Sequence, residues 1–100
     1  MNVFILGGGL QALSVARSLK EVGYDVFCLS SKNEAISHSK FVDKFIPSHV
    51  DISTTDYLKY ICTLLIESQC EVIIPMSDSL AEFLSRNKRE IEAKTITKCA

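Results

Sequence analysis

Four large apolar residues, Val3-Phe4-Ile5-Leu6, run directly into three glycines, Gly7-Gly8-Gly9. A half-exposed strand would alternate apolar and polar residues; a continuous run this short reads as a strand buried on both faces. Helical spacing begins straight after the glycines. Leu10, Leu13, Val15, Ala16, Leu19 and Val22 recur at that spacing, with Arg17, Lys20 and Glu21 on the other side. A strand covered on both faces needs a layer above and a layer below. That requirement points to an α/β architecture around a parallel sheet.

The rest of the chain continues the alternation. Gly23 supplies a stop for the first helix, and Tyr24 to Leu29 predicts a second strand with Ser30-Ser31-Lys32-Asn33 as its loop. Ser37 to Lys44 predicts a short helix capped by Ser37, with Phe41 and Val42 facing inward. Phe45-Ile46 predicts a third strand, stopped by Pro47. Ser53-Thr54-Thr55-Asp56 has capping-box form and precedes a helix with Tyr57, Ile61, Leu64 and Leu65 on one face. Glu71-Val72-Ile73-Ile74 predicts the fourth strand, ended by Pro75. Ser79-Leu80-Ala81-Glu82 is a second capping box, opening a helix with Leu80, Phe83 and Leu84 apolar. Asn87-Lys88-Arg89-Glu90 is a further cap signal and predicts a separate short helix to Ala93. Lys94 to Lys98 predicts a fifth strand at the edge. Right-handed crossovers then favour a three-layer, Rossmann-like open parallel sheet in the order 3-2-1-4-5.

Composition narrows the function classes. One hundred residues suffice for one domain with its own core. Eleven basic and 12 acidic residues, net charge −1, give no electrostatic footprint for nucleic acid or an anionic membrane surface. No apolar run is long enough to span a bilayer, and the start of the chain has no signal-peptide pattern. Cys28, Cys62, Cys70 and Cys99 form no C-x-x-C pair. They read as small apolar residues kept reduced in the cytoplasm. Cys28, His38 and His49 lack the spacing of a metal site. Both histidines read as loop residues, and no nucleophile–base or carboxylate pair can be placed.

In an open parallel sheet, ligands bind beyond the carboxyl ends of the strands, where the strand order switches. Here that crevice lies between the first and fourth strands. Two segments meet there, Gly7-Gly8-Gly9-Leu10-Gln11-Ala12 and Pro75-Met76-Ser77-Asp78-Ser79. The first fits G-x-G-x-x-A. Glycine lets the backbone approach a ligand, and the helix start offers free N–H groups and a positive dipole to an anion. The glycines equally let strand and helix pack closely. Asp78 could bind a substrate amine or hydroxyl, or cap the next helix. A dinucleotide fold for NAD would place an acid at the end of the second strand. This chain has Leu29-Ser30-Ser31-Lys32 there, which disfavours NAD and leaves NADP, with Ser31 and Lys32 on a 2′-phosphate. Lys32 also reads as an ordinary solvated charge.

Taken in order, these motifs resemble the N-terminal pre-ATP-grasp domain of carboxylate–amine ligases, biotin carboxylases and the large subunit of carbamoyl-phosphate synthase. The pieces are Val3 to Gly9, Ala16-Arg17-Ser18-Leu19, Gly23-Tyr24-Asp25-Val26, Ser39-Lys40-Phe41-Val42-Asp43-Lys44 and Ile73-Ile74-Pro75-Met76-Ser77-Asp78. Within that group the chain resembles the carbamoyl-phosphate-synthase-like ATP-grasp proteins of bacteria. The resemblance implies a parent enzyme that activates a carboxylate as an acyl phosphate, using ATP and Mg²⁺, for attack by an amine or similar nucleophile. It places the ATP and metal residues in domains that would follow Ala100, and gives this domain one wall of the substrate site. The candidate substrate-binding residues are Gly7, Gly8, Gly9, Leu10, Gln11, Ser30, Ser31, Ser77 and Asp78, with no catalytic and no metal-ligating residue. The expected partners are a small carboxylate or amine and the ATP-grasp domain of the same parent chain. The chain is therefore expected to be a fragment of a larger ligase, inactive alone. Two other readings stay open: an NADP-binding Rossmann module of a dehydrogenase or sensor, and a structural module without a ligand.

Overall fold

The computed structural model describes residues 1–30, 36, 39–48 and 56–99. Five strands form one sheet: β1 (Asn2–Leu6), β2 (Asp25–Ser30), β3 (Lys44–Pro47), β4 (Val72–Pro75) and β5 (Lys98–Cys99). Three helices join them: α1 (Leu10–Glu21), α2 (Tyr57–Ser68) and α3 (Asp78–Lys94). All strand pairs are parallel, in the order β3-β2-β1-β4-β5. The predicted architecture and strand order are those observed.

β1 is central because its residues serve two cores at once. Phe4 and Leu6 face one side, where Tyr57, Ile61 and Leu65 of α2 and Phe83, Leu84 and Ile91 of α3 cover them. Ile5 faces the other side and meets Ala12 and Ala16 of α1, with Val26 and Cys28 of β2. This distribution follows from handedness. The chain moves one way from β1 to β2 and the other way from β3 to β4 to β5, so right-handed crossovers put α1 opposite α2 and α3. Ala12 and Ala16 are fully buried, and their small side chains bring α1 close to the sheet.

Several boundaries differ from the sequence reading. Residues 39–43 form a turn rather than the end of a helix: Val42 N–H donates to the Ser39 carbonyl and Phe41 N–H to the Ser39 hydroxyl. Phe41 and Val42 nevertheless pack inward. The predicted cap Ser37 lies outside the described residues, as do Ser53, Thr54 and Thr55 of the first capping box. Pro47 is the last residue of β3 rather than the one after it, which an edge strand tolerates. The cap of α3 is Ser77, not Ser79; its hydroxyl accepts from Leu80 N–H at 3.3 Å. No break occurs at Asn87, whose side-chain amide donates to the Phe83 carbonyl at 2.8 Å, so α3 runs on as one 17-residue helix. That continuation takes Lys94 from the predicted fifth strand. β5 is reduced to two residues behind a turn in which Thr95 Oγ1 donates to the Ile91 carbonyl and fully buried Thr97 donates to the Cys70 carbonyl.

Candidate functional site

The carboxyl end of β1 lies between those of β2 and β4. Leu6 stands opposite Leu29 on one side and Pro75 on the other. One residue further on, Gly7 N–H donates to the Leu29 carbonyl at 2.9 Å, and Met76 N–H donates to the Leu6 carbonyl at 2.9 Å. The structure therefore brings the glycine loop, the end of β2 and the mouth of β4 to one edge.

Gly7 and Gly9 have φ of +105° and +97°. They serve different ends. A Cβ on Gly7 would stand 2.9 Å from Leu80 Cδ1 and 3.2 Å from Met76 Cβ, so the missing side chain lets the start of α3 close over the loop. A Cβ on Gly9 would meet nothing within 4 Å. Space over Gly9 is open, and its conformation (ψ −178°) is one that glycine alone adopts readily. Gly9 is the N-cap of α1, which therefore has no side-chain cap, and the first turn carries no acidic residue. The opening N–H groups of α1 and its positive dipole end are left available to a ligand. Gln11 is exposed in that first turn.

α3 opens differently. Ser77 caps it and also lies 3.3 Å from the Ser79 hydroxyl, while exposed Asp78 supplies a negative charge to the first turn. The Ser77 hydroxyl is thus engaged with its own helix. Asp78 is not the cap; it is exposed in the first turn of α3, and among the described residues its carboxylate has no hydrogen-bond or ion-pair partner. Ser30 is nearly buried at the end of β2, its carbonyl accepting from Ser48 N–H at 3.0 Å. Ser31, Lys32, His38 and His49 lie outside the described residues, so the NADP reading gains no geometry from them.

Two contributors were not singled out from the sequence. Leu80 packs on the loop at Gly7, and the Cys28 thiol donates to the Gly7 carbonyl at 3.5 Å. The signals available were the apolar residue in the first turn of α3 and the inward position of Cys28 on its strand. Burial pushes the Cys28 thiol up to about 12. Asp43, in the Ser39–Asp43 stretch, is a structural tie. Its carboxylate accepts from Val26 N–H at 2.7 Å and from Lys20 Nζ at 2.9 Å, while its own N–H donates to the Val26 carbonyl at 2.8 Å. Those bonds, first the one from Val26 and then the one from Lys20, hold its carboxyl below the usual range.

Other hollows lie elsewhere. One of about 310 Å³ sits where α2 and α3 end, lined by Leu65, Ile66, Ala93 and Ile96 among others. Among the described residues no group of three His, Cys, Asp or Glu side chains could hold a metal ion. Among them, too, no helix is long and apolar enough to cross a membrane.

No protein-family model and no curated protein matches the chain. Solved structures do. N5-carboxyaminoimidazole synthetase from Staphylococcus aureus, complexed with ADP, matches 98% of this chain with a TM-score of 0.66 at 22% identity. The biotin carboxylase domain of Hydrogenobacter thermophilus 2-oxoglutarate carboxylase, in complex with MgADP, ADP and bicarbonate, matches 97% with a TM-score of 0.71 at 25% identity. The chain spans 23% of the first and 22% of the second. Both are ATP-grasp ligases, and the fold shared with them fits the pre-ATP-grasp resemblance carried by the sequence motifs.

Proposed function

We propose that this chain is the substrate-binding N-terminal domain of a larger cytoplasmic ATP-grasp ligase, one that resembles the carbamoyl-phosphate-synthase-like group. The observation that carries the reading is the uncapped, glycine-opened start of α1 at the switch between β1 and β4. An anionic substrate group, a carboxylate or bicarbonate, would accept from the N–H groups of the loop and the first turn. Asp78, free of the capping role, would meet an amine or hydroxyl on the same ligand. ATP and Mg²⁺ would be held by domains outside this chain, and would supply the phosphoryl group that activates a carboxylate. Four unpaired thiols, three of them buried, accord with a reducing compartment.

The test is a titration of the ¹⁵N-labelled chain with bicarbonate and with inorganic phosphate. Amide shifts are expected at Gly8, Gly9, Leu10 and Gln11. Mg²⁺-dependent ATP hydrolysis is expected to be absent. Turnover by the purified chain, or shifts clustered away from the loop, would overturn the reading. Tight NADPH binding lost on Lys32→Glu would replace it with a dinucleotide-binding module.

A further inference from the structure

We infer that the Cys28 thiol is a positioning residue for the glycine loop: by donating to the Gly7 carbonyl it holds the Gly8 N–H toward the crevice between β1 and β4. The inference rests on the reading of that crevice as an anion-binding wall, and deepens it by naming the donor at its centre and what aims that donor.

The direction follows from backbone geometry. Cys28 lies on β2, opposite Ile5 of β1. Its sulfur is 3.5 Å from the Gly7 oxygen, and Gly7 N–H donates to the Leu29 carbonyl at 2.9 Å. Both polar groups of Gly7 are thus directed at β2. The Gly7–Gly8 peptide is trans, as all peptides of the described chain are. Across a planar trans peptide the carbonyl and the following N–H point in opposite directions. With the Gly7 carbonyl aimed at β2, the Gly8 N–H is aimed at the β4 side. Leu6 shows the same alternation one residue earlier, since its carbonyl accepts from Met76 N–H on that side. Among the described residues no group accepts from Gly8 N–H. It therefore joins the uncapped N–H groups of α1 as a donor without a partner among the described residues.

The loop needs such an anchor because of what it is made of. Glycine on both sides of a peptide removes the Cβ atoms that would restrict its rotation. The composition that lets the backbone approach a ligand also lets the Gly7–Gly8 peptide turn over, hiding its N–H. Cys28 is fully buried among Ile5, Ala12, Ala16, Val26 and Ile36, an apolar wall in which the Gly7 carbonyl is a ready acceptor. An S–H···O bond is weak. It acts alongside the Gly7 N–H bond on the same residue, and only the orientation of one peptide is asked of it. Burial pushes the thiol up to about 12, so it keeps the proton that it donates across the working pH range.

The test compares the wild-type chain with Cys28→Ser, which keeps a donor, and Cys28→Ala, which removes it. Thermal melts establish that each is folded. The ¹³C shift of the Gly7 carbonyl and the ¹⁵N–¹H shift of Gly8 report the peptide's orientation, and inorganic phosphate is the titrated probe. Cys28→Ser is expected to keep the wild-type Gly7 and Gly8 signals. Cys28→Ala is expected to move both and to bind phosphate about three- to tenfold more weakly, the scale of one neutral hydrogen bond. Wild-type signals and affinity in folded Cys28→Ala would overturn the inference. If the alanine variant does not fold, Cys28→Val takes its place, filling the site without a donor: it is expected to move both signals, and wild-type Gly7 and Gly8 signals in it overturn the inference. Signals that move in the donor-free variants while the wild-type chain binds no phosphate keep the anchor and remove the anion-wall reading beneath it.

Discussion

Gly7 and Gly9 share a positive φ and yet carry different loads. Gly7 is where α3 presses on the loop, through Leu80 and Met76. Leu80 Cδ1 is the end of a flexible side chain and can give way. Met76 Cβ adjoins the backbone and cannot easily. Alanine at Gly7 thus adds crowding to backbone strain, roughly 3 kcal/mol or more together. Alanine at Gly9 meets no atom and costs the strain alone, about 1–3 kcal/mol. Its methyl would instead project into the open space before α1. Urea unfolding is expected to show the larger loss for Gly7→Ala, and phosphate titration the larger loss for Gly9→Ala relative to its stability. A Gly9→Ala chain that unfolds as easily as Gly7→Ala would refute this division of labour.

Between elements, Asp43 does what no hydrogen-bond ladder can do before β3 begins. β3 pairs with β2 only from Lys44, opposite Phe27, so Val26 N–H needs another acceptor on that side. Asp43 provides it and adds Lys20 of α1 to the same junction. Asp43→Ala is expected to cost about 1 kcal/mol at neutral pH, held down by the exposure of the ion pair. Its carboxyl is lowered in the fold, so the contribution is complete above the ordinary aspartate value, about pH 4. It is lost as pH falls through the lower folded value. Stability curves of wild type and Asp43→Ala should run parallel at neutral pH and converge in acid; a gap that persists at low pH would contradict the charge-dependent bond. The same segment shows what the sequence could reveal. Strands and their order were readable because Val3 to Leu6 and Val72 to Ile74 have to be buried whatever their neighbours. Residues 39–43 were read as helix because their apolar pair suits either a helix or a turn, and Asp43's partner lies on another strand. Ser77 and Ser79 both suit a cap, and only the path of the chain out of β4 chooses between them. Asn87 resembles a helix start until its amide is seen to bond back to Phe83. The glycines of the site were legible by type; Cys28 and Leu80 were not, since their roles exist only across the sheet.

At the scale of the whole molecule, the sheet is the single partition between two cores, and β1 belongs to both. Phe4 and Leu6 anchor the α2–α3 side, and Ile5 anchors the α1 side. Neither layer can leave without uncovering residues on a strand that the other also needs, so the two sides should unfold together. Tyrosine emission can test this, because the chain has no Trp. Two of its three tyrosines, Tyr57 and Tyr60, are on α2. Tyr57 is buried edge-on against Phe83, ring centres 5.0 Å apart, and reports loss of the α2–α3 side. Far-UV circular dichroism reports all three helices. The two signals are expected to give coincident urea transitions in the wild type, the behaviour of a two-state domain. Ile5→Ala, made on the α1 side, should lower both midpoints equally, by the equivalent of about 2–5 kcal/mol. A tyrosine midpoint that stays in place while the dichroism midpoint falls would mean that the α1 layer, and with it the uncapped helix start at the glycine loop, can detach while the α2–α3 core remains intact.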